Sequence, residues 1–188
     1  MLNRGFKTRS ENIALQIRRE LKLNKTSPLS CGALAEYLGV LLLTPKSIIG
    51  LASSVCTLLL GQSKNFWSAV TVSYGEVDMI IYNSSHSKAR QSSDIMHELS
   101  HILLNHEPSK FFLNPNVGIT LREYNENQED EAAWLAGCLL LPREALLFIK
   151  KAGIIDQKTI ENYSVSKNLL NYRMNVTGVK YQIDGRCK

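Results

Sequence analysis

Long apolar runs are missing from this 188-residue sequence: no stretch approaches membrane-spanning length, and the N-terminus has no apolar run of signal-peptide length. Both absences point to a soluble, cytoplasmic chain with no membrane role. The four cysteines, Cys31, Cys56, Cys138 and Cys187, form no CxxC pair. Scattered thiols fit a reducing compartment better than a disulfide frame or a second zinc site, and Cys31, Cys56 and Cys138 stand in apolar contexts that mark them as core residues. Internal repeats, low-complexity tracts and an obvious interdomain linker are also absent. The remaining composition, 44% apolar and 21% charged, is that of an ordinary globular protein long enough to bury a real core. We expect a core over residues 1–153 and a small helical appendage over 154–188 packed on it.

The net charge of +5 is unevenly spread. Residues 1–25 carry seven basic and two acidic side chains, residues 26–141 six and eleven, and residues 142–188 nine and four. Solvated helix faces are the simplest account of the basic ends; contact with nucleic acid or an acidic partner is the other.

The chemistry sits in the acidic middle, at His97-Glu98-Leu99-Ser100-His101 within the run HELSHILLNH. Histidines four apart stand one above the other on a helical face, where two neutral imidazoles can hold one divalent metal. Glu98 cannot ligate the same ion. Its place is beside it, where it can take a proton from water as a general base. Ile95, Met96, Leu99, Ile102, Leu103 and Leu104 make the helix strongly apolar, and Ser92, Ser93 and Asp94 are its candidate start signals. Ionisable groups on so apolar a helix need partners, and a divalent metal, zinc first, is the obvious one. The bland alternative is a surface helix carrying these residues by coincidence.

Around this helix the pattern predicts an α/β (α+β) fold: a small twisted sheet with a hairpin packed on the HExxH helix, a helical N-terminus and C-terminal helices. Ile13, Ile17 and Leu21 give an amphipathic helix over 9–22. Ser30 caps a second helix with Leu34, Tyr37 and Leu38 as its buried stripe and Gly39 as its stop. Val40 to Leu43 reads as a buried strand, and residues 53–60 as a further helix. Trp67 to Val72 and Val77 to Tyr82, either side of Ser73-Tyr74-Gly75-Glu76, give the hairpin, and Asn83 to Arg90 a polar loop. A strand beside the metal helix suits the capture of an extended peptide by backbone addition. Residues 107–123 read as irregular. Helices follow from Glu126 to Leu141 and from Pro142 to Gly153, with two short ones near 157–162 and 167–174.

A catalytic zinc takes three protein ligands and leaves a position for water. His106, five residues beyond His101, is turned away from the face of the pair. A metzincin is excluded, because Leu104 and Glu107 stand where that class needs glycine and histidine. Beside the further histidines His86 and His106, Glu129 and Glu131 are the better candidates, both on the helix NQEDEAAWLAGCLLLP. Glu129 falls on the stripe of Ala132, Ala136, Leu139 and Leu140, whereas Glu131 falls on the flank, where it can be hydrated. Small residues at 132, 133, 136 and 137 let this helix approach the metal helix closely. The wheel favours Glu129 and leaves Glu131 as its alternative.

HELSH at 97–101 and the block Glu129-x-Glu131-Ala132-x-x-Leu135-Ala136-x-x-Leu139-Leu140-Leu141-Pro142 resemble the two motifs of the ImmA/IrrE-type metallopeptidases, with every spacing kept. Weaker similarity continues in RGFKTRSENIALQIRRELKL, in Tyr82-Asn83 with Arg90-Gln91, and in VSKNLLNYRMNVTG. The resemblance implies a gluzincin-type peptidase with His97, His101 and Glu129 as zinc ligands and Glu98 as catalytic base. It also implies a protein substrate, commonly a helix-turn-helix repressor, whose cleavage switches on stress or mobile-element genes. Ser100 where the family has glycine, Leu135 for phenylalanine, and the shift of a trailing histidine to His106 depart from the pattern without removing a ligand or the base. Ser100 bears on the packing against the neighbouring helix. Tyr82, His86 and Arg90 are candidate oxyanion donors, each with an ordinary structural reading beside it. The competing reading is a DNA- or repressor-binding regulator with a structural or inactive metal site. It rests on the paired helices at 157–175, whose second helix would expose Lys167, Asn168, Asn171 and Arg173.

Overall fold

The computed structural model describes residues 2–75, 77–107, 111–113, 120–122, 125–154 and 157–182. Cys187 lies outside them, as does most of the 107–123 segment. The architecture is mixed α+β. Helices α1 (Phe6–Glu20) and α2 (Cys31–Leu38) precede strand β1 (Leu41–Leu43), a 3₁₀ turn (Pro45–Ser47) and α3 (Ser53–Leu60). Strands β2 (Ala69–Tyr74) and β3 (Val77–Tyr82) lead to α4 (Lys88–Leu103). Short strands β4 (Phe111–Leu113) and β5 (Thr120–Arg122) pair antiparallel, where the sequence alone suggested irregular chain. Helices α5 (Glu126–Leu140), α6 (Arg143–Ala152), α7 (Gln157–Asn162), α8 (Lys167–Val176) and α9 (Val179–Gln182) complete the order.

The main sheet runs β1-β3-β2, with β1 parallel and β2 antiparallel to β3. The hairpin is tighter than expected, since Ser73 and Tyr74 extend β2 and pair with Asp78 and Val77. Ile80 is fully buried at the centre, opposite Leu42 on one side and Thr71 on the other. The other face of the sheet leaves Leu41, Val70, Val72 and Val77 exposed, so β1 is not the buried strand its apolar run suggests.

Helix α4 begins earlier than Ser92–Asp94. Ser87 takes the N-cap role and accepts from the Arg90 amide at 3.4 Å. Inside the helix, Asp94 lies 3.5 Å from His86 and 3.7 Å from Arg90. Helix α2 runs between Ser30 and Gly39 at φ 70° as read, but the Ser30 side chain makes no capping bond, and Tyr37 is 48% exposed and leaves the buried stripe. Cys31 and Cys138 are core; Cys56, on the peripheral α3, is only half-buried. Helix α1 starts at Phe6, and its buried face runs Phe6, Ser10, Ala14 and Ile17.

Helix α5 is the spine, packed by α1 and by α4. Its C-terminal carbonyls have no partner within the helix, and two buried arginines supply them. Arg18 of α1 donates to Leu139 O at 2.7 Å and to the carbonyls of Ala14 and Ser27 at 3.1 Å. Arg173 of α8 donates to Leu141 O and to Glu11 Oε1 at 2.6 Å. Arg173 is therefore 1% exposed, in contrast to the outward placement read from the helix pattern. Tyr163 adds a hydroxyl donated to Thr26 O at 2.5 Å. Among the described residues no single helix is long and apolar enough to cross a membrane.

Candidate active site

Two helices build the site. Met96, Leu99 and Ser100 of α4 and Ala132, Leu135 and Ala136 of α5 are all buried. Methyl side chains at 132 and 136 allow a close helix approach. The Ser100 hydroxyl turns back to its own helix and donates to Met96 O at 2.7 Å, so it makes no demand on α5. Asn125 caps α5 by accepting from the Gln128 amide, which sets Glu129 in the first turn.

That packing brings three ligand atoms together. His97 Nε2 stands 3.0 Å from Glu129 Oε2, His101 Nε2 stands 3.1 Å from His97 Nε2, and His101 Nε2 lies 3.7 Å from Glu129 Oε2. Atoms each roughly 2.0–2.1 Å from a tetrahedral ion are about 3.3 Å apart, and the three edges bracket that value. The donor set, two imidazoles and a carboxylate, is one that zinc and similar divalent ions accept. The side chains are 27%, 19% and 21% exposed, which leaves one side of the cluster open. The residues therefore fit a divalent metal.

Glu98 lies at the same opening, held from the sheet. Thr71, opposite Ile80 on the face of β2 that meets α4, donates its hydroxyl to Glu98 Oε2 at 2.5 Å. Thr71, Val72 and Ser73 line one wall of a cleft of about 490 Å³, and Glu98, His101 and Glu129 line its floor. Thr71 and Ser73 stand on the same face of the sheet as Ile80, while Val70 and Val72 are exposed on the other, so the usual alternation is inverted on β2.

Other expectations fall elsewhere. Tyr82 borders a separate cavity near α2. His86 is enclosed between Lys64 O at 2.9 Å and Asp94, and Arg90 donates to Ser68 Oγ at 3.1 Å. None of the three lines the cleft. Glu131 does not join the three-atom cluster, nor is it simply hydrated, because it meets His106 at 3.3 Å and Asn3 at 3.4 Å. His106 is off the face of the pair, yet its Nδ1 comes within 2.9 Å of His101 Nδ1. Asn105, at φ 51°, turns the chain back after the helix. Asparagine tolerates that left-handed conformation, and this was the one local signal available. Thr71 carried no such signal, since its partner is 27 residues away.

No match is found among curated proteins. The family model described as the IrrE N-terminal-like domain, a peptidase family, matches residues 61–175, well over half of the chain. The matched stretch contains β2, α4 and α5, and with them Glu98 and the three clustered ligand atoms. The chain belongs to the IrrE N-terminal-like family of metal-dependent peptidases.

Proposed function

We infer that this protein is a zinc-dependent endopeptidase of the cytoplasm that cuts one regulatory protein. A helix-turn-helix repressor is the substrate class, and release of stress or mobile-element genes the outcome. One observation carries the reading: candidate ligand atoms of His97, His101 and Glu129 lie within 4.8 Å of one another, beside a cleft that His101, Glu129 and Glu98 line.

His97, His101 and Glu129 would hold a divalent ion, which would supply Lewis acidity towards a water and a peptide carbonyl. Glu98 accepts that water's proton and passes it to the departing amine. Thr71 occupies Oε2 of Glu98 and leaves its other carboxylate oxygen for the water. β2 is an edge strand of its sheet and the one beside the cleft, so its backbone can take an extended substrate as an added strand.

The test pairs the purified protein with repressors encoded beside its gene, with and without chelator. Cleavage that chelator abolishes, and that Glu98→Gln loses while keeping its metal, supports the reading. Cleavage retained by Glu98→Gln rejects Glu98 as the base. The regulator alternative is weakened by Arg173, which is committed to Leu141 O and Glu11 rather than to a nucleic-acid surface.

A further inference from the structure

We propose that His106 and Glu131 form a hydrogen-bonded relay behind His101 that fixes its tautomer and strengthens its grip on the metal. The relay rests on the metal-site reading above and assigns a positioning role to two residues outside the ligand set.

The argument follows one proton at a time. His101 offers Nε2 to the cluster, 3.1 Å from His97 Nε2. A neutral imidazole that ligates through Nε2 must carry its proton on Nδ1. His101 Nδ1 lies 2.9 Å from His106 Nδ1, a separation that two bare nitrogens or two N–H groups would not tolerate. His101 therefore donates and His106 accepts, which places the remaining proton of His106 on Nε2. That nitrogen points at Glu131 Oε2, 3.3 Å away, and an ionised carboxylate accepts it. The direction of both bonds follows from ligation alone. Glu131 is itself steadied by Asn3, whose side-chain amide donates to Oε1 at 3.4 Å.

Burial supports the arrangement. The His106 side chain is only 7% exposed and that of Glu131 20%, and the His101 and His106 rings meet edge-on with centroids 5.0 Å apart. A buried imidazole with both nitrogens engaged is ordered in one orientation. Negative charge at the end of the relay raises the electron density that His101 offers the ion. The two glutamates of the α5 motif thus divide the work: Glu129 reaches the cluster directly, and Glu131 acts through two rings.

The test measures zinc affinity by chelator competition for the wild type, His106→Ala, His106→Gln and Glu131→Gln. It also records the visible spectrum of the cobalt-loaded proteins and the melting temperature without metal. The relay predicts that His106→Ala and Glu131→Gln each weaken zinc binding by about 10–100-fold and change the cobalt spectrum. Glu131→Gln, similar in size, should do so with little change in the metal-free melting temperature. His106→Gln, whose amide can accept from His101 and donate to Glu131, should recover most of the affinity. Zinc affinity within twofold of wild type in both His106→Ala and Glu131→Gln overturns the relay while leaving the metal site standing. A wild type that binds no ion overturns both.

Discussion

Thr71 and Glu98 meet at 2.5 Å, and that bond orients the carboxylate we propose as the base. Hydrogen bonds to charged groups contribute roughly 1.5–3 kcal/mol, so Thr71→Val should lower kcat by about tenfold or more. Metal content should be unchanged, which separates this effect from loss of a ligand; an unaltered kcat would remove Thr71 from the machinery. Away from the site, burial pushes the Cys138 thiol up to about 12 from its ordinary 9.0. Below pH 9 both states keep that proton. Between 9 and 12 the unfolded thiol releases it and the folded one holds it, so this contribution to stability falls as pH rises through that window. Urea titrations should show the decline in wild type and a shallower one in Cys138→Ala. At this scale the spacing of His97 and His101 was legible because one helical turn sets it locally. Thr71, His106 and Glu131 were not, because their partners depend on how a strand, a helix end and a second helix come together.

Helix α5 works from both ends. Its first turn presents Glu129, and its last carbonyls are held by Arg18 and Arg173. Arg173→Met should cost about 3 kcal/mol in unfolding free energy, because Glu11 and the Leu141 carbonyl lose a buried partner. An unchanged urea midpoint would contradict that role. Ala132 is fully buried where α4 and α5 meet, and Ala132→Leu should cost about 1–3 kcal/mol by overpacking. The same change should weaken zinc binding, since pushing the helices apart separates Glu129 from the two imidazoles. Most helices were legible from apolar spacing and turn residues, including α2 between Ser30 and Gly39 and α6 ending at Gly153. The start of α4 was misread because Ser92, Ser93 and Asp94 suit a cap equally well, and only Ser87 has the extended backbone that a cap requires. Arg173 was misplaced because a helical wheel counts a cation as polar, whereas here it answers the carbonyls of a neighbouring helix end.

In the molecule as a whole, the edge of a three-stranded sheet and two packed helices enclose one open-sided cleft. The α+β class was legible from the hairpin and the helical periods, and the helical wheel had put Glu129 on the side of the helix from which its carboxylate meets the two imidazoles. The polar inward face of β2 was not, since a strand lining a cleft reverses the usual alternation. We propose that residues 154–188 act as an appendage on a core of 1–153, although Arg173 and Tyr163 reach back to Glu11 and Thr26. The central claim is that one divalent ion is held by His97, His101 and Glu129. It is tested most directly by the metal-to-protein ratio of purified wild type, Glu98→Gln and Glu129→Ala after exposure to zinc and gel filtration. One tightly held ion in wild type and Glu98→Gln, lost from Glu129→Ala, is the predicted result; equal metal content in all three would contradict the account.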